Sequence, residues 1–310
     1  MSEEMAVLTL QMEILASLIF LGFLGQKARL LTDENIDHFP AIVTRLILPF
    51  MLLTSVGGGG SRQQLFGMWK FFLCTVFMLS LALLIGFWVS RVIGLKQPTK
   101  NMHILVTAFG NGGFIGIPLI AVMFPKTSGL VIAVFALVEA TIYWVIGPAV
   151  ADTSSKRINL KNLATPMTIS IGVGLLLVIL NINLEGNVLW DTMVNVGATT
   201  KYFAAIYIGL DFGRKGLKVL FAKPKVFIAM PFKLIVFPVI TYLVFGKTGI
   251  LYGDQLTMLV ILTGTPTGMA VPLIAKQANS DEAYATAGTM VCTLLCLVTI
   301  PFVMWLITQF

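Results

Sequence analysis

The stretch GNGGFIGIPLIA, Gly110 to Ala121, returns 154 residues further on as GTPTGMAVPLIA, Gly264 to Ala275. Gly110, Pro118, Leu119, Ile120 and Ala121 align with Gly264, Pro272, Leu273, Ile274 and Ala275. The first copy lies in a run with no charged residue between Lys100 and Lys126, so it must sit within the apolar part of a membrane span. Pro118 removes a helical donor and crowds the preceding turn, while Gly112, Gly113 and Gly116 lower the cost of leaving helical geometry. The sequence therefore predicts a helix break at Asn111 to Pro118. Pro266, Gly268 and Pro272 predict a second at Thr265 to Pro272. Non-helical backbone at membrane depth survives only where protein or a watery cavity satisfies it, and paired Gly/Pro-interrupted spans point to a substrate site. Glycine and proline are commoner in membrane helices generally, for kinks and close packing; breaks in corresponding positions favour a site instead. Half-helices that start after each break direct N–H groups and positive dipole ends inward, which suits an anion.

Working outward, the whole chain has the same solvent. Of 310 residues, 57% are hydrophobic and 11% charged, with mean hydropathy +0.92. A soluble domain carries about 25% charged residues, so a soluble globular fold is excluded. At about 20 residues per span the chain divides into ten: 5–24, 37–56, 68–90, 101–124, 128–150, 163–181, 188–210, 226–246, 255–275 and 284–308. The second is the weakest, because it holds Arg45 and runs into Gly57 to Gly60. The net charge of +7 falls in short clusters between apolar runs, as membrane topology is encoded, and no nucleic-acid partner is expected.

One set of alternating loops holds 14 cations: Lys27, Arg29, Arg91, Lys96, Lys100, Lys156, Arg157, Lys161, Arg214, Lys215, Lys218, Lys223, Lys225 and Lys276. The other set has only Arg62, Lys70, Lys126 and Lys247. Lysine and arginine excess marks the cytoplasmic side, so a cell-membrane protein with both termini outside is expected. Cys74, Cys292 and Cys296 lie in apolar runs without histidine at ligand spacing, so no metal, cofactor or disulfide framework is expected. The first residues lack the basic region of a secretory signal, and the chain is taken as mature.

The two copies fall in spans four and nine, the fourth member of each five-span half. An odd number of spans per half makes the second copy enter from the opposite face. The expected fold is all-α and integral to the membrane: ten transmembrane helices in two inverted five-helix repeats with broken crossover helices four and nine. The repeats are 1–152 and 163–310, joined by a cytoplasmic linker at 153–162.

With Asn111 to Leu119 and Val271 to Lys276 in view, the chain resembles the auxin efflux carrier family in its short prokaryotic form, over essentially its full length. Leu48-Pro49, Pro166, Lys233 followed by Pro238, and Thr299-Ile300-Pro301 support the likeness. The resemblance implies spans one, two, six and seven as scaffold, the others as a moving transport domain, and spans four and nine crossing at their breaks. It implies carriage of organic anions, auxin in plants and dicarboxylates such as malate or malonate in bacteria. Asn111, seven residues before Pro118, matches a substrate-contacting asparagine of the family's first crossover. The second crossover departs, with Thr265 and Thr267 in place of an asparagine, and span seven reads Thr199-Thr200-Lys201-Tyr202 where the family often has proline.

The substrate-binding candidates are thus Asn111, Gly112, Gly113, Phe114 and Pro118 with Thr265, Pro266, Thr267, Gly268 and Pro272. Ionisable residues well inside spans are costly and by default functional, here Glu13, Arg45, Glu139, Lys201 and Lys233. Glu13 lies near enough to one end to reach the interface or cap a neighbour. Lys233 is read as snorkelling or pairing structurally rather than touching substrate. Glu139 could carry a coupling proton, or stand as a static partner of Lys201 or Arg45. Tyr143, one turn on, is a plausible hydrogen-bond donor to its carboxylate. Arg45 and Lys201 fall within two residues of equivalence at the 154 offset, so each half places a cation where it could draw an anion.

His38 and His103, near span ends, read as interfacial residues. Asp211-Phe212-Gly213 resembles a kinase motif but ends a span beside Arg214, and Gly57 to Gly60 lacks the ending of a phosphate loop. A secondary carrier for a small organic anion follows, with a sodium-coupled symporter of related fold or a passive channel as the alternatives. The absence of a His-Glu-x-x-His pair argues against an enzyme, and a homodimer is compatible with the pattern.

Overall fold

The long apolar runs fold as helices because a helix satisfies its own backbone where no water can. The computed structural model describes residues 3–152 and 163–309. The expected linker at 153–162, with Lys156, Arg157 and Lys161, lies outside the described residues. In chain order the helices are α1 Glu3–Lys27, α2 Asp33–Gly57, α3 Trp69–Val92, α4 Thr99–Ala108, α5 Gly112–Met123, α6 Ser128–Ala151 and α7 Pro166–Leu180. They continue with α8 Val188–Ala198, α9 Thr200–Lys215, α10 Pro224–Gly246, α11 Gly253–Thr263, α12 Ala270–Gln277 and α13 Glu282–Ile307.

Among the described residues, six of these, α1, α2, α3, α6, α10 and α13, are individually long and apolar enough to cross a membrane. Of the other four expected spans, span six is the single shorter helix α7 and the remaining three are interrupted. Spans four and nine are helix pairs, α4 with α5 and α11 with α12, interrupted by Gly/Pro segments. Span seven is α8 with α9, parted at Thr199, where the Thr199 and Thr200 hydroxyls donate back to Val196 O (2.6 Å) and Gly197 O (2.7 Å). Such back-bonding bends helices.

Proline shapes four further turns. Widened π-helical turns at Val43–Ile47, Gly112–Gly116, Ile142–Ile146 and Phe232–Val236 each end two residues before a proline, Pro49, Pro118, Pro148 and Pro238. Proline brings no N–H to the preceding turn and its ring collides with the carbonyl there, and a wider turn makes room for it.

The described chain forms two compact units: Met1–Phe72 with Gly113–Leu137 and Ala164–Gly216, and Leu73–Gly112 with Val138–Leu163 and Leu217–Phe310. Spans one, two, six and seven thus fall in one unit, joined there by the later half of span four and the first part of span five. In that unit α1 and α9 touch backbone to backbone. A Cβ on Gly22 would strike the Ile206 carbonyl and one on Gly209 the Ile19 carbonyl, the small-residue contact by which membrane helices pack without a hydrophobic drive between them.

In the second unit α4 packs on α13, where Gly288 meets Val106. Loops three-four, seven-eight and nine-ten, which the charge count places on one side, meet here: Asp281 accepts from Thr99 Oγ1 at 2.6 Å and Lys223 Nζ at 3.1 Å. His103 corrects its interfacial assignment. It is fully buried, with Nδ1 at 2.7 Å from Tyr284 Oη, because α13 covers the face of α4 that carries it. His38 is exposed, as is Glu13.

Candidate functional site

Helix α4 ends at Ala108, and Phe109 turns extended at φ −87° and ψ 120°. The break therefore lies at residues 109–111, upstream of Pro118, which sits in the first turn of a regular helical stretch where its missing N–H costs nothing. The second break likewise lies earlier than its proline, between Thr263 and Ala270, and Pro272 falls inside α12. The two breaks cross and pair. Gly110 and Thr267 form an antiparallel bridge, Gly268 N–H donates to Phe109 O at 3.2 Å, and Thr267 Oγ1 donates to Val106 O at 2.7 Å. Backbone groups freed by leaving the helix at membrane depth are thereby partly satisfied by the opposite break. The approach leaves no room for a side chain at Gly268, whose Cβ would lie 2.6 Å from Gly110 O and inside the Tyr143 hydroxyl.

Polar groups gather at this crossing. Thr265 Oγ1, Glu139 Oε1 and Lys233 Nζ stand 2.7, 3.3 and 3.5 Å from the point a Gly110 Cβ would occupy. The Glu139 carboxylate lies against Gly112, accepts its backbone N–H, and would overlap a Cβ there. Lys233, 2% exposed, donates to Ala108 O at 3.4 Å. The two charges thus sit on the two cut ends: the ammonium at the C-terminal end of α4, the carboxylate at the N-terminal start of α5. Each opposes the local end of the helix dipole. They act on each other electrostatically, yet make no ion pair within 4.0 Å among the described residues.

Several atoms here are buried without a hydrogen-bond partner: Asn111 Nδ2, Glu139 Oε1 and Tyr143 Oη. Leaving such a group unpaired costs about 1–3 kcal/mol, so their concentration at the crossing makes it the candidate site. The hydrogen bond expected from Tyr143 to Glu139 is not made. Tyr143 lies in the wide turn Ile142–Ile146, and its ring instead sits tilted at 4.4 Å against Phe109 with its hydroxyl at Gly268. Cys292, from α13, hydrogen-bonds Thr267. Among the described residues no three His, Cys, Asp or Glu side chains group to hold a metal.

The second unit therefore brings together Asn111, Gly112, Glu139, Tyr143, Thr265, Pro266, Thr267, Gly268 and Pro272. Gly113, Phe114, Pro118, Arg45 and Lys201 belong to the first unit. There Phe114, Pro118 and Lys201 line a cavity of about 30 Å³ with Gln11 and Met12, and Lys201 Nζ lies 3.5 Å from Gln11 Oε1. Arg45 is exposed. The cation that Glu139 senses is Lys233, for which the sequence suggests snorkelling or structural pairing, rather than Lys201 or Arg45. Its signal was present, a lysine deep in a span five residues before Pro238, but depth alone does not name a partner. Cys292 carried no such signal, being one apolar-run thiol among three.

A sequence profile described as a membrane transport protein matches residues 7–160 and again residues 150–304. A protein described as an uncharacterized transporter of Methanocaldococcus jannaschii is 29% identical over 126 residues, a stretch covering 39% of this chain and 40% of that one. The match thus spans about two fifths of that relative's length. With the two profile matches together covering nearly the whole chain, in a polytopic helical protein whose broken spans cross over buried charge, the chain belongs to the membrane transport protein family, which is the auxin efflux carrier family.

Proposed function

We propose that the chain is a secondary carrier for a small organic anion, of the dicarboxylate or auxin-like class, in the cell membrane. Its ten spans form two inverted repeats, and substrate binds where the breaks of spans four and nine cross, exposed alternately to either side. The observation that supports this is the Glu139 carboxylate held on Gly112 N–H beside Lys233. A half-helix N–H and a buried ammonium are the donors an incoming carboxylate needs; Glu139 occupies the N–H as a tethered carboxylate and lies in the field of the ammonium without pairing with it. Substrate and ionised Glu139 cannot both sit there without bringing like charges together. Protonated Glu139 releases the N–H, leaves the Lys233 charge to the substrate and can itself donate, so one proton enters with the anion. Asn111 Nδ2 and Tyr143 Oη supply donors for the rest of the substrate.

A second reading has a specific observation behind it: Glu139 and Lys233 each complement a helix end, and could serve only as caps. Glu139→Gln separates the two. Glutamine keeps a carbonyl for Gly112 but cannot cycle a proton, so the carrier reading expects malate uptake to persist with its pH dependence flattened. A cap-only role expects a lower melting temperature and an unaltered pH profile. Trans-stimulated malate counterflow distinguishes a carrier from a channel, and a sodium jump at fixed pH tests sodium coupling.

A further inference from the structure

The segment from the end of α9 through the first turn of α10 is short, basic and greasy. Two 3-10 turns, Leu217–Phe221 and Pro224–Ile228, expose Leu217, Phe221, Phe227 and Ile228. Phe221 is 71% exposed, and its ring stacks on that of Phe227 at 6.3 Å and 24°. Exposed stacked aromatics are costly in water but are at home in the headgroup region of a bilayer. Between them run Lys223 and Lys225, which line a cavity of about 520 Å³ together with Lys96, Thr99 and Tyr284.

The charge in this cavity is not balanced. Lys223 pairs with Asp281 at 3.1 Å. Lys225 reaches only the Ile93 carbonyl, at 3.5 Å, and among the described residues neither it nor Lys96 has a carboxylate partner. Lysine is a compact point charge suited to phosphate. Basic pockets between spans on the cytoplasmic side, the side the cation count assigns to these loops, hold anionic headgroups. A soluble anion would account for the lysines and leave the exposed ring pair unexplained; a lipid uses both.

We propose that this cavity binds the phosphate of an anionic phospholipid through Lys96, Lys223 and Lys225, with Phe221 and Phe227 against the acyl chains. The site is separate from the crossover of spans four and nine and does not depend on what is transported there. Bound lipid fixes the α9–α10 segment against the start of α13, to which Asp281 already ties Lys223.

The test is lipid retention by native mass spectrometry on protein taken from phosphatidylcholine nanodiscs containing phosphatidylglycerol. Wild type is expected to keep phosphatidylglycerol over phosphatidylcholine. Lys96→Gln with Lys225→Gln is expected to weaken retention about fivefold for each lysine. The corresponding arginine pair should keep it, and Lys126→Gln, from the opposite loops, should not change it. If the glutamine pair fails to insert, Lys225→Gln alone carries the comparison, since that side chain is exposed. Phe221→Ser with Phe227→Ser should weaken phosphatidylglycerol but leave glycerol 3-phosphate binding in detergent unaltered. Equal retention by the glutamine variants overturns the site. Competition by glycerol 3-phosphate as strong as that by the lipid overturns the lipid assignment in favour of a free phosphate.

Discussion

At Gly112 a single missing methyl group decides what the crossing can hold. The Glu139 carboxylate fills the space where a Cβ would stand, so Gly112→Ala must evict it from the backbone N–H. Hydrogen bonds to charged groups contribute about 1.5–3 kcal/mol, and malate counterflow by this variant is expected to fall ten- to a hundredfold with helix content unchanged. Asn111→Ala should behave differently. Its Nδ2 bonds nothing within the described chain, so the melting temperature should hold while malate affinity falls about fivefold, the worth of one neutral hydrogen bond; a lowered melting temperature with unaltered affinity would assign Asn111 to structure. Glu139 is legible because a carboxylate at bilayer depth demands a reason, Asn111 through the family resemblance, and Tyr143 by its spacing from Glu139, although the bond expected of it is not made. Lys233 was legible as costly but not as Glu139's neighbour, since 94 residues separate them in sequence and only the fold closes that gap.

Among the elements, the second break overlaps the expected Thr265 to Pro272 and contains Pro266 and Gly268, whereas the first begins at Phe109, two residues ahead of the expected Asn111. Pro118 and Pro272 do not themselves end a helix: Pro118 lies inside α5 and Pro272 in the first turn of α12. A widened turn before Pro118 absorbs the strain that was assigned to a break. The start of α13 offers a prediction of its own. Asp281 caps it, accepting from Tyr284 N–H at 3.0 Å as well as from Thr99 and Lys223. Burial pushes its carboxyl upward, but these hydrogen bonds and the Lys223 charge outweigh that and hold it below its ordinary range. Its stabilising contribution is therefore complete above the ordinary aspartate pKa and disappears as pH falls through the lowered value. Asp281→Ala should cost about 1 kcal/mol near neutrality, and thermal melts should show the variant converging on wild type in acid.

For the molecule as a whole, composition alone placed the chain in a bilayer, and the repeated Pro-Leu-Ile-Ala located the two segments that cross. What periodicity could not supply was the division into compact units. One unit takes the later half of span four and the first part of span five together with spans one, two, six and seven, and no composition shift marks residues 113 or 137 as boundaries. In the proposed cycle Glu139 holds the Gly112 N–H until a proton releases it for substrate. Malate counterflow into proteoliposomes, followed from acid to alkaline pH in wild type and in Glu139→Gln, tests it most directly. Wild-type exchange is expected to rise on acidification and the variant's to stay flat across the same range. Two parallel pH profiles would contradict it.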